Sequence, residues 1–460
     1  MKDGRVGPDR PRGIRPLTLG ALALMLAMAL PSTAQTPTLS PAVLPPPTQP
    51  LPYRTYDTAA RKPLSEEFDV ALFEAMAEQL VQGQRVPGLA MAIVHEGRIL
   101  SARGYGVTDV VRPQPVDSHT VFRLASLSKA FAGTMAGLLV SDGSLRWDSR
   151  VADYVPGFQL QDPQLTRQVT VADLLSHRVG LKAHNAFDRD IEGNAEYYTV
   201  SQKLGSAELA CAPGECYAYQ NVAFSLIGDV VFAASGNFYE QEVQRRVFKP
   251  LGMNDASLGL AGIESSPRWA RPHVRSRNGW VSLKPKPTYY RLPPAAGVNA
   301  SISDMAQWLL AHTGHRPDVL PAPLLATLHA PVVSTPGELR SGWRRDRVQA
   351  ASYALGWRVF DYAGEELVFH AGAVQGYRGM TAMLPGRDLG IAILWNSESS
   401  LPSGLLPTIL DRALGLPPER WLDVDVEFGA DNLMVERSNE QPEAPAQRGS
   451  SGTTATASPR

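Results

Sequence analysis

Cysteines, lysines and long apolar runs are all scarce in this 460-residue chain. Two cysteines, with no histidines clustered near them, argue against a metal site. The formal net charge is -1 at pH 7, so the chain lacks the basic footprint of a nucleic-acid-binding protein. No apolar run beyond residue 34 is long enough to span a bilayer, so we expect no stable membrane span in the mature protein. With 44% hydrophobic residues, the chain can nevertheless bury a large core.

The N-terminus has the three parts of a secretory signal peptide. Cations dominate residues 2–15, an apolar run follows from Leu17 to Leu30, and Pro31-Ser32-Thr33-Ala34 supplies small residues for cleavage. A retained anchor is the alternative, but the run is shorter than the roughly 20 residues that a bilayer requires. We therefore expect residues 1–34 to be a signal peptide and the mature protein to be periplasmic or secreted, in a bacterium.

Composition sets off both ends of the mature chain from its centre. Residues 35–63 are rich in proline and are predicted to form an extended linker. Residues 427–460 are polar and rich in Gly, Ser, Thr and Ala, which is typical of a disordered tail. The folded domain is therefore expected at residues 64–426.

Within that domain, helical patterns dominate about 126–315, and strand patterns dominate about 64–125 and 316–426. We expect a first helix capped by Ser65 and a single strand from Tyr353 to Tyr362. Strands at both ends with helices between them predict an α+β fold, an antiparallel sheet flanked by helices plus an inserted, mainly helical domain.

Cys211 and Cys216 are separated by Ala-Pro-Gly-Glu, a sequence typical of a turn. In an oxidising compartment such a turn can bring the two thiols together. We favour a local disulfide, with two free thiols as the alternative.

Ser126-Leu127-Ser128-Lys129 places a hydroxyl and an amine three residues apart, on one face of a helix. A serine hydroxyl is a weak nucleophile unless a neighbour accepts its proton, and a partly buried lysine can take part in that transfer. A helix-capping serine beside a solvated lysine is the alternative. Lys129 is the only one of the eight lysines preceded by serine at this spacing.

The segment from Val121 to Phe131 resembles the start of the catalytic helix in the class C β-lactamase and DD-peptidase superfamily. Other stretches are similar to that family as well, among them Thr170 to His177 and Pro250 to Met253. The resemblance covers most of the folded domain. It implies a β-lactamase and penicillin-binding-protein-like fold and a serine hydrolase with no metal or organic cofactor.

The family's second motif matches Tyr219-Gln220-Asn221, the only Tyr-x-Asn triplet in the chain. A phenol there can act as base toward the nucleophile and then as acid toward the leaving group, provided that nearby lysines lower its pKa. The resemblance implies that Asn221 holds both the substrate's carbonyl oxygen and Lys129. A tyrosine at a helix start followed by an Asn cap is the alternative.

The third motif matches His370-Ala371-Gly372, at the end of a predicted strand. His312-Thr313-Gly314 also fits the pattern, but it follows a helical stretch without a surrounding hairpin, so we reject it. A core histidine is the alternative for His370. The resemblance implies that this strand lines the substrate site.

The resemblance further implies an oxyanion hole formed by the backbone N–H groups of Ser126 and Ala373. The chain departs from the family at the third motif, where most β-lactamases have Lys-Thr-Gly. Ala371 lacks the hydroxyl, and a histidine is largely neutral at pH 7, so recognition of a substrate carboxylate requires another group. Arg378 is our candidate for that cation because it is near in sequence.

These observations predict an exported, monomeric serine hydrolase that forms an acyl-enzyme on Ser126 with a small-molecule or peptide acyl substrate. We expect class C-like β-lactamase activity. DD-carboxypeptidase or carboxylesterase activity on the same fold, and a penicillin-binding protein that does not turn over, are the alternatives. A classical α/β-hydrolase is excluded because the chain contains no G-x-S-x-G elbow.

Overall fold

A computed structural model describes residues 61–340 and 342–422. The predicted signal peptide, nearly all of the proline-rich linker and the predicted tail lie outside the described residues. The described strands, named in chain order, are β1 Gly88–His95, β2 Arg98–Gly106, β3 Val121–Arg123, β4 Ser257–Leu258, β5 His273–Ser276, β6 Gly279–Ser282, β7 Val298–Ser301, β8 Val333–Ser334, β9 Val348–Tyr353, β10 Arg358–Tyr362, β11 Glu365–Val374, β12 Tyr377–Leu384 and β13 Leu389–Trp395.

The described α-helices are α1 Val70–Gln82, α2 Ser128–Ser141, α3 Val151–Tyr154, α4 Pro163–Thr166, α5 Val171–Leu175, α6 Asp188–Glu192, α7 Tyr197–Gln202, α8 Val222–Ser235, α9 Tyr239–Val243, α10 Lys249–Leu251, α11 Gly259–Glu264, α12 Pro293–Ala296, α13 Ile302–Leu310, α14 Ala322–Leu328, α15 Gly342–Arg347 and α16 Leu405–Leu414. Short 3-10 and π turns extend several of them.

Eight strands form one antiparallel sheet in the order β2-β1-β13-β12-β11-β10-β9-β8. Strand β1 shows how the sheet is buried on both faces, because its side chains alternate between two hydrophobic clusters. Leu89, Met91 and Ile93 join the cluster that includes residues of α1 and α16, whereas Ala90 and Ala92 face the helical region. The predicted α+β class and antiparallel sheet flanked by helices are confirmed.

A second, three-stranded sheet leads the chain into the Ser126 turn. Its order is β3-β7-β4, and Leu124, which follows β3, donates its backbone N–H to the carbonyl of Val298 in β7. The main chain is thus fixed two residues before Ser126.

Two local expectations were wrong. The first helix is capped by Asp69, whose carboxylate accepts the N–H of Ala71, because Ser65 instead closes an earlier turn by accepting the N–H of Glu67. The single strand expected from Tyr353 to Tyr362 is a hairpin of β9 and β10. The chain reverses at Gly356, whose φ of +86° is accessible mainly to glycine.

None of the helices in the described ranges is by itself long and apolar enough to cross a bilayer. Helix α8 and the segment Tyr239–Leu251 reach that length only when taken together, across a bend of 77°.

Helix α2 packs so closely against the β9–β10 turn that no further carbon atom fits between them. A β-carbon on Gly133 would lie 2.1 Å from the carbonyl oxygen of Leu355. We expect Gly133→Ala to lower the free energy of unfolding by about 1–3 kcal/mol, since overpacking outweighs the gain in helix propensity. Urea denaturation measures this. Gly157→Ala is the control, because nothing lies near that position, and equal midpoints for the two variants would contradict the packing.

Candidate active site

Ser126 lies in a short 3-10 turn that leads directly into α2, and it is partly exposed to a cavity of about 1170 Å³. The preceding residue, Ala125, has a φ of +49°, in the left-handed region that non-glycine residues rarely adopt. Strained backbone of this kind persists where the surrounding structure holds it, and it is frequent at functional sites. The turn thus holds the Ser126 side chain at the cavity wall.

Lys129 is fully buried one turn further along α2. Its Nζ lies 3.4 Å from Ser126 Oγ, and it donates to Asn221 Oδ1 at 2.6 Å and to the carbonyl of Ala295 at 3.2 Å. These acceptors come from the start of α8 and from α12, so three elements converge on one amine. The solvated lysine that the sequence left open is excluded by this burial.

Tyr219 lines the same cavity, and its ring lies 4.6 Å from Lys129 Nζ. The backbone of its loop is held by two imidazoles: Tyr219 N–H donates to His184 Nδ1 and Gln220 N–H to His177 Nδ1. The His177 ring also packs against the Tyr219 ring, with centroids 4.3 Å apart. Ser126, Lys129, Tyr219 and Asn221 are therefore gathered at one site.

The loop that precedes Tyr219 is closed by a disulfide between Cys211 and Cys216. The expected pairing is present, and Cys216 lines the cavity wall. Within the described ranges, no group of three or more His, Cys, Asp or Glu side chains is arranged to hold a metal ion.

Strand β11 forms the opposite wall, with Ala371 and Ala373 lining the cavity. Pairing of β11 with β10 ends at Phe369, so its next residues follow the cavity instead of a neighbouring strand on that side. A β-carbon on Gly372 would lie 2.3 Å from the carbonyl oxygen of Leu124, so only glycine allows β11 this close to the Ser126 turn. The backbones of Ser126 and Ala373 thus border one space.

His370 lies behind this wall. It is fully buried and is not among the residues that line the cavity. Its Nδ1 faces the carbonyl of Ala371 and its Nε2 faces the hydroxyl of Tyr353 at 3.0 Å, which fits a neutral ring protonated on Nδ1. Burial, with Arg358 and Lys129 nearby, lowers the pKa of His370 well below its usual value. A charged imidazole is therefore disfavoured here.

Arg358, at the start of β10, supplies a cation that sequence reasoning missed. It lines the cavity, its Nη1 lies 3.4 Å from His370 Nε2, and its guanidinium carbon lies 5.4 Å from the Tyr219 ring centre. Burial opposes its charge, but Glu338 and the surrounding phenols outweigh that effect and raise the pKa of Arg358. The signal available in the sequence was an arginine inside an apolar strand pattern.

Arg378 does not line this cavity. Its Nε donates to the carbonyl of Glu398, and the side chain borders a separate small cavity together with Trp395. Arg378 follows β11 closely in sequence, but in β12 it lies opposite Ala373 in the register, and its side chain is directed elsewhere. The cation beside the Tyr219 ring is instead Arg358, from β10.

Further charged groups at the cavity were not anticipated, among them Glu338 and Asp188. Glu338 accepts from Arg358 at 3.1 Å and also contacts Arg344. Burial opposes its ionisation, but the two arginines outweigh that effect and hold the pKa of Glu338 below its usual value. Asp188 lies on the other side, next to Asn221. Glu338 comes from a 3-10 turn and Asp188 from the start of α6, and neither segment has a recognisable sequence motif.

His177 and His370 make stability depend on pH. Burial lowers the pKa of both side chains in the folded protein, whereas the unfolded chain binds protons on them below about pH 6.5. Their contribution to the free energy of unfolding should therefore fall as the pH falls from 7.5 to 5. Each imidazole contributes up to about 1.4 kcal/mol per pH unit.

We expect His370→Gln to reduce this slope, measured by urea denaturation at several pH values. His119→Gln is the matched control, since the His119 side chain is 64% exposed. Equal slopes for the two variants would contradict the neutral, buried state of His370.

Residues 73–415 match the family model described as Beta-lactamase. The unguisins hydrolase of Aspergillus campestris is 26% identical over 367 residues, which cover 76% of this chain and 66% of that protein. This chain therefore spans just under two thirds of that relative. Penicillin-binding protein 4 of Amycolatopsis lactamdurans is 27% identical, with 78% of this chain and 96% of that protein covered.

Among solved structures, the octameric penicillin-binding protein homologue from Pyrococcus abyssi aligns with a TM-score of 0.67 at 24% identity, covering 77% of this chain and 79% of that one. At this identity the likeness establishes the fold. Since the family model spans most of the chain and the fold agrees with it, the protein belongs to the Beta-lactamase family.

Proposed function

We propose that this protein is an exported serine hydrolase that forms an acyl-enzyme on Ser126 and cleaves amide bonds in substrates that carry a carboxylate. Support comes above all from the contact between the buried Lys129 amine and Ser126 Oγ at the wall of a large cavity. A serine hydroxyl at a surface without such a partner is a poor nucleophile.

In the proposed acylation, Ser126 Oγ attacks the substrate carbonyl while its proton passes to the Lys129 and Tyr219 pair. The carbonyl oxygen becomes an anion, which the N–H groups of Ser126 and Ala373 stabilise. The C–N bond then breaks as the leaving amine takes the proton from Tyr219. A water molecule, activated by the same pair, attacks the ester, releases the acid and restores Ser126.

Arg358 supports a preference for substrates that bear a carboxylate. Its guanidinium lies in the cavity beside Tyr219, close to where a leaving group would take its proton. Glu338 contacts both Arg358 and Arg344. Because this cluster contains two cations and one anion, it keeps a net positive charge and can pair with a carboxylate. A neutral ester has no negative group that could pair with that charge.

The size of the cavity favours short peptides. Its volume of about 1170 Å³ lies above the range, roughly 300–1,000 Å³, of small-molecule pockets. β-Lactam hydrolysis is the second candidate, favoured by the class C resemblance and by the relative named penicillin-binding protein 4. Export is supported by the predicted signal peptide and by the disulfide, which requires an oxidising compartment.

The mature protein should become covalently labelled at Ser126. We expect incubation with a fluorescent penicillin, a D-Ala-D-Ala peptide or a short acyl ester to give either an adduct or turnover, detected by intact mass and product release. Ser126→Ala should abolish both. Ser128→Ala is the matched control, since that hydroxyl accepts the N–H of Val298 and does not line the cavity.

Labelling that persists in Ser126→Ala would overturn the proposed nucleophile. Labelling of the unmodified protein without turnover would indicate a penicillin-binding protein that does not hydrolyse its substrate.

Arg358→Gln should lower kcat/KM about 10- to 100-fold for carboxylate-bearing substrates, and less for a carboxylate-free ester, because a charge-assisted hydrogen bond is lost. Arg378→Gln is the matched control and should affect both substrates equally little. The double variant Arg358→Gln/Glu338→Gln avoids leaving Glu338 without that partner in the interior. Equal effects of Arg358→Gln on both substrates would contradict the assignment.

A further inference from the structure

The side-chain amide of Asn221 joins Lys129 to a carboxylate that the mechanism does not use. Its Oδ1 accepts from Lys129 Nζ at 2.6 Å. Its Nδ2 donates to Asp188 Oδ2 at 2.7 Å and to Asn185 Oδ1 at 3.2 Å. The chain of contacts runs from Asp188 through Asn221 and Lys129 to Ser126.

Asp188 determines which way the Asn221 amide is oriented. In the opposite orientation, the NH₂ group would face the Lys129 amine, a donor against a donor. The amide oxygen would then face the Asp188 carboxylate, an acceptor against an acceptor. A carboxylate at this position therefore keeps the amide oxygen directed at the amine.

The segment that carries Asp188 is also tied to the Tyr219 loop. Asn185 N–H donates to the carbonyl of Tyr219 at 2.7 Å, and Asp188 N–H donates to the carbonyl of Asn185 at 3.0 Å. The hydroxyl of Tyr289, from the turn before α12, lies 3.1 Å from Asp188 Oδ2 and 2.9 Å from Glu192 Oε1 and shares its proton between the two carboxylates. Asp188 is thus fixed from two sides and cannot easily follow Asn221 if the amide rotates.

The charged and polar groups that face Asp188 come from four elements. They are Asn221 at the start of α8, Tyr289, Lys129 in α2 and Glu192 in α6. Burial raises the pKa of Asp188 to about 6, although the hydrogen bonds from Asn221 and Tyr289 and the charge of Lys129 oppose that rise. The carboxylate form therefore predominates above about pH 6 and is lost below it.

We propose that Asp188 is a positioning residue for acylation: through Asn221 it holds the amine of Lys129 beside the Ser126 hydroxyl. This inference rests on the proposed function, since it concerns activation of the same nucleophile. It assigns to Asp188 no contact with substrate. Loss of the carboxylate should slow proton transfer from Ser126 and leave binding of the reagent unchanged.

The test measures reaction of Ser126 with a fluorophosphonate, which labels activated serines whatever their natural substrate. Asp188→Ala should lower the maximal labelling rate about 10- to 100-fold, the loss expected for a hydrogen bond to a charged group, with little change in the concentration that gives half that rate. Asp190→Ala is the matched control, because that carboxylate lies in the same helix but pairs with Lys203 at the surface. Thermal melting verifies that both variants are folded.

Asp188→Asn separates the charge from the hydrogen bond. Its amide oxygen can still accept from Asn221, so we expect at least partial recovery of the labelling rate. In the unmodified protein the rate should rise with pH through about 6, and in Asp188→Asn this step should be absent.

Failure of the unmodified protein to react at Ser126 would overturn both this inference and the proposed function. Normal reaction of the unmodified protein, with equal rates for Asp188→Ala and Asp190→Ala, would overturn the inference alone. The inference would also be wrong, with the proposed function intact, if Asp188→Ala changed only the concentration for half-maximal rate, or if Asp188→Asn kept the step near pH 6.

Discussion

The candidate site depends on one buried amine and the acceptors that hold it. Lys129 has no exposed surface, and an ammonium group in such a place is costly unless its N–H groups are satisfied. Asn221 and the carbonyl of Ala295 satisfy two of them. Because these acceptors come from α8 and α12, and the amine from α2, the requirement draws three separate elements to the Ser126 turn.

Close backbone contacts keep the two walls of the cavity together. Helix α2 meets the β9–β10 turn at Gly133, and β11 meets the Ser126 turn at Gly372, where in each case a side chain would clash with a carbonyl oxygen. The large sheet and the helical region therefore meet through main-chain atoms. This makes the distance between Ser126 and Ala373 a property of the fold and not of flexible side chains.

In this site a residue of the β9–β10 hairpin, and not the third-motif residue of β11, carries the positive charge. His370 occupies the third motif but is buried, which lowers its pKa, and its Nε2 lies 3.0 Å from the Tyr353 hydroxyl. The adjacent strand brings Arg358 past it to the cavity, where Glu338 holds it. A permanent cation thus stands near the place where the motif ordinarily carries a lysine, and the imidazole supports it from behind.

The local chemistry of this protein could be predicted from its sequence. Residue types and spacing predicted the α+β class and the antiparallel strands and favoured the pairing of Cys211 with Cys216, whereas the grouping of Ser126 and Lys129 with Tyr219 and Asn221 was implied by the family resemblance. The class and the strands follow from helical and strand periodicity and the favoured pairing from turn composition, but the two motifs of the site lie far apart in the chain and meet only in the fold.

Contacts between distant segments were decided only by the tertiary structure. Arg358 and Asp188 carry no motif, and they reach the site because a hairpin and a short helix place them beside His370 and Asn221. The misplaced strand from Tyr353 to Tyr362 has a related cause, since Gly356, where the chain reverses, packs so closely on α2 that a β-carbon there would lie 2.4 Å from the carbonyl oxygen of Lys129. Periodicity reports which face a residue occupies, whereas burial and charge pairing depend on the elements that pack against it.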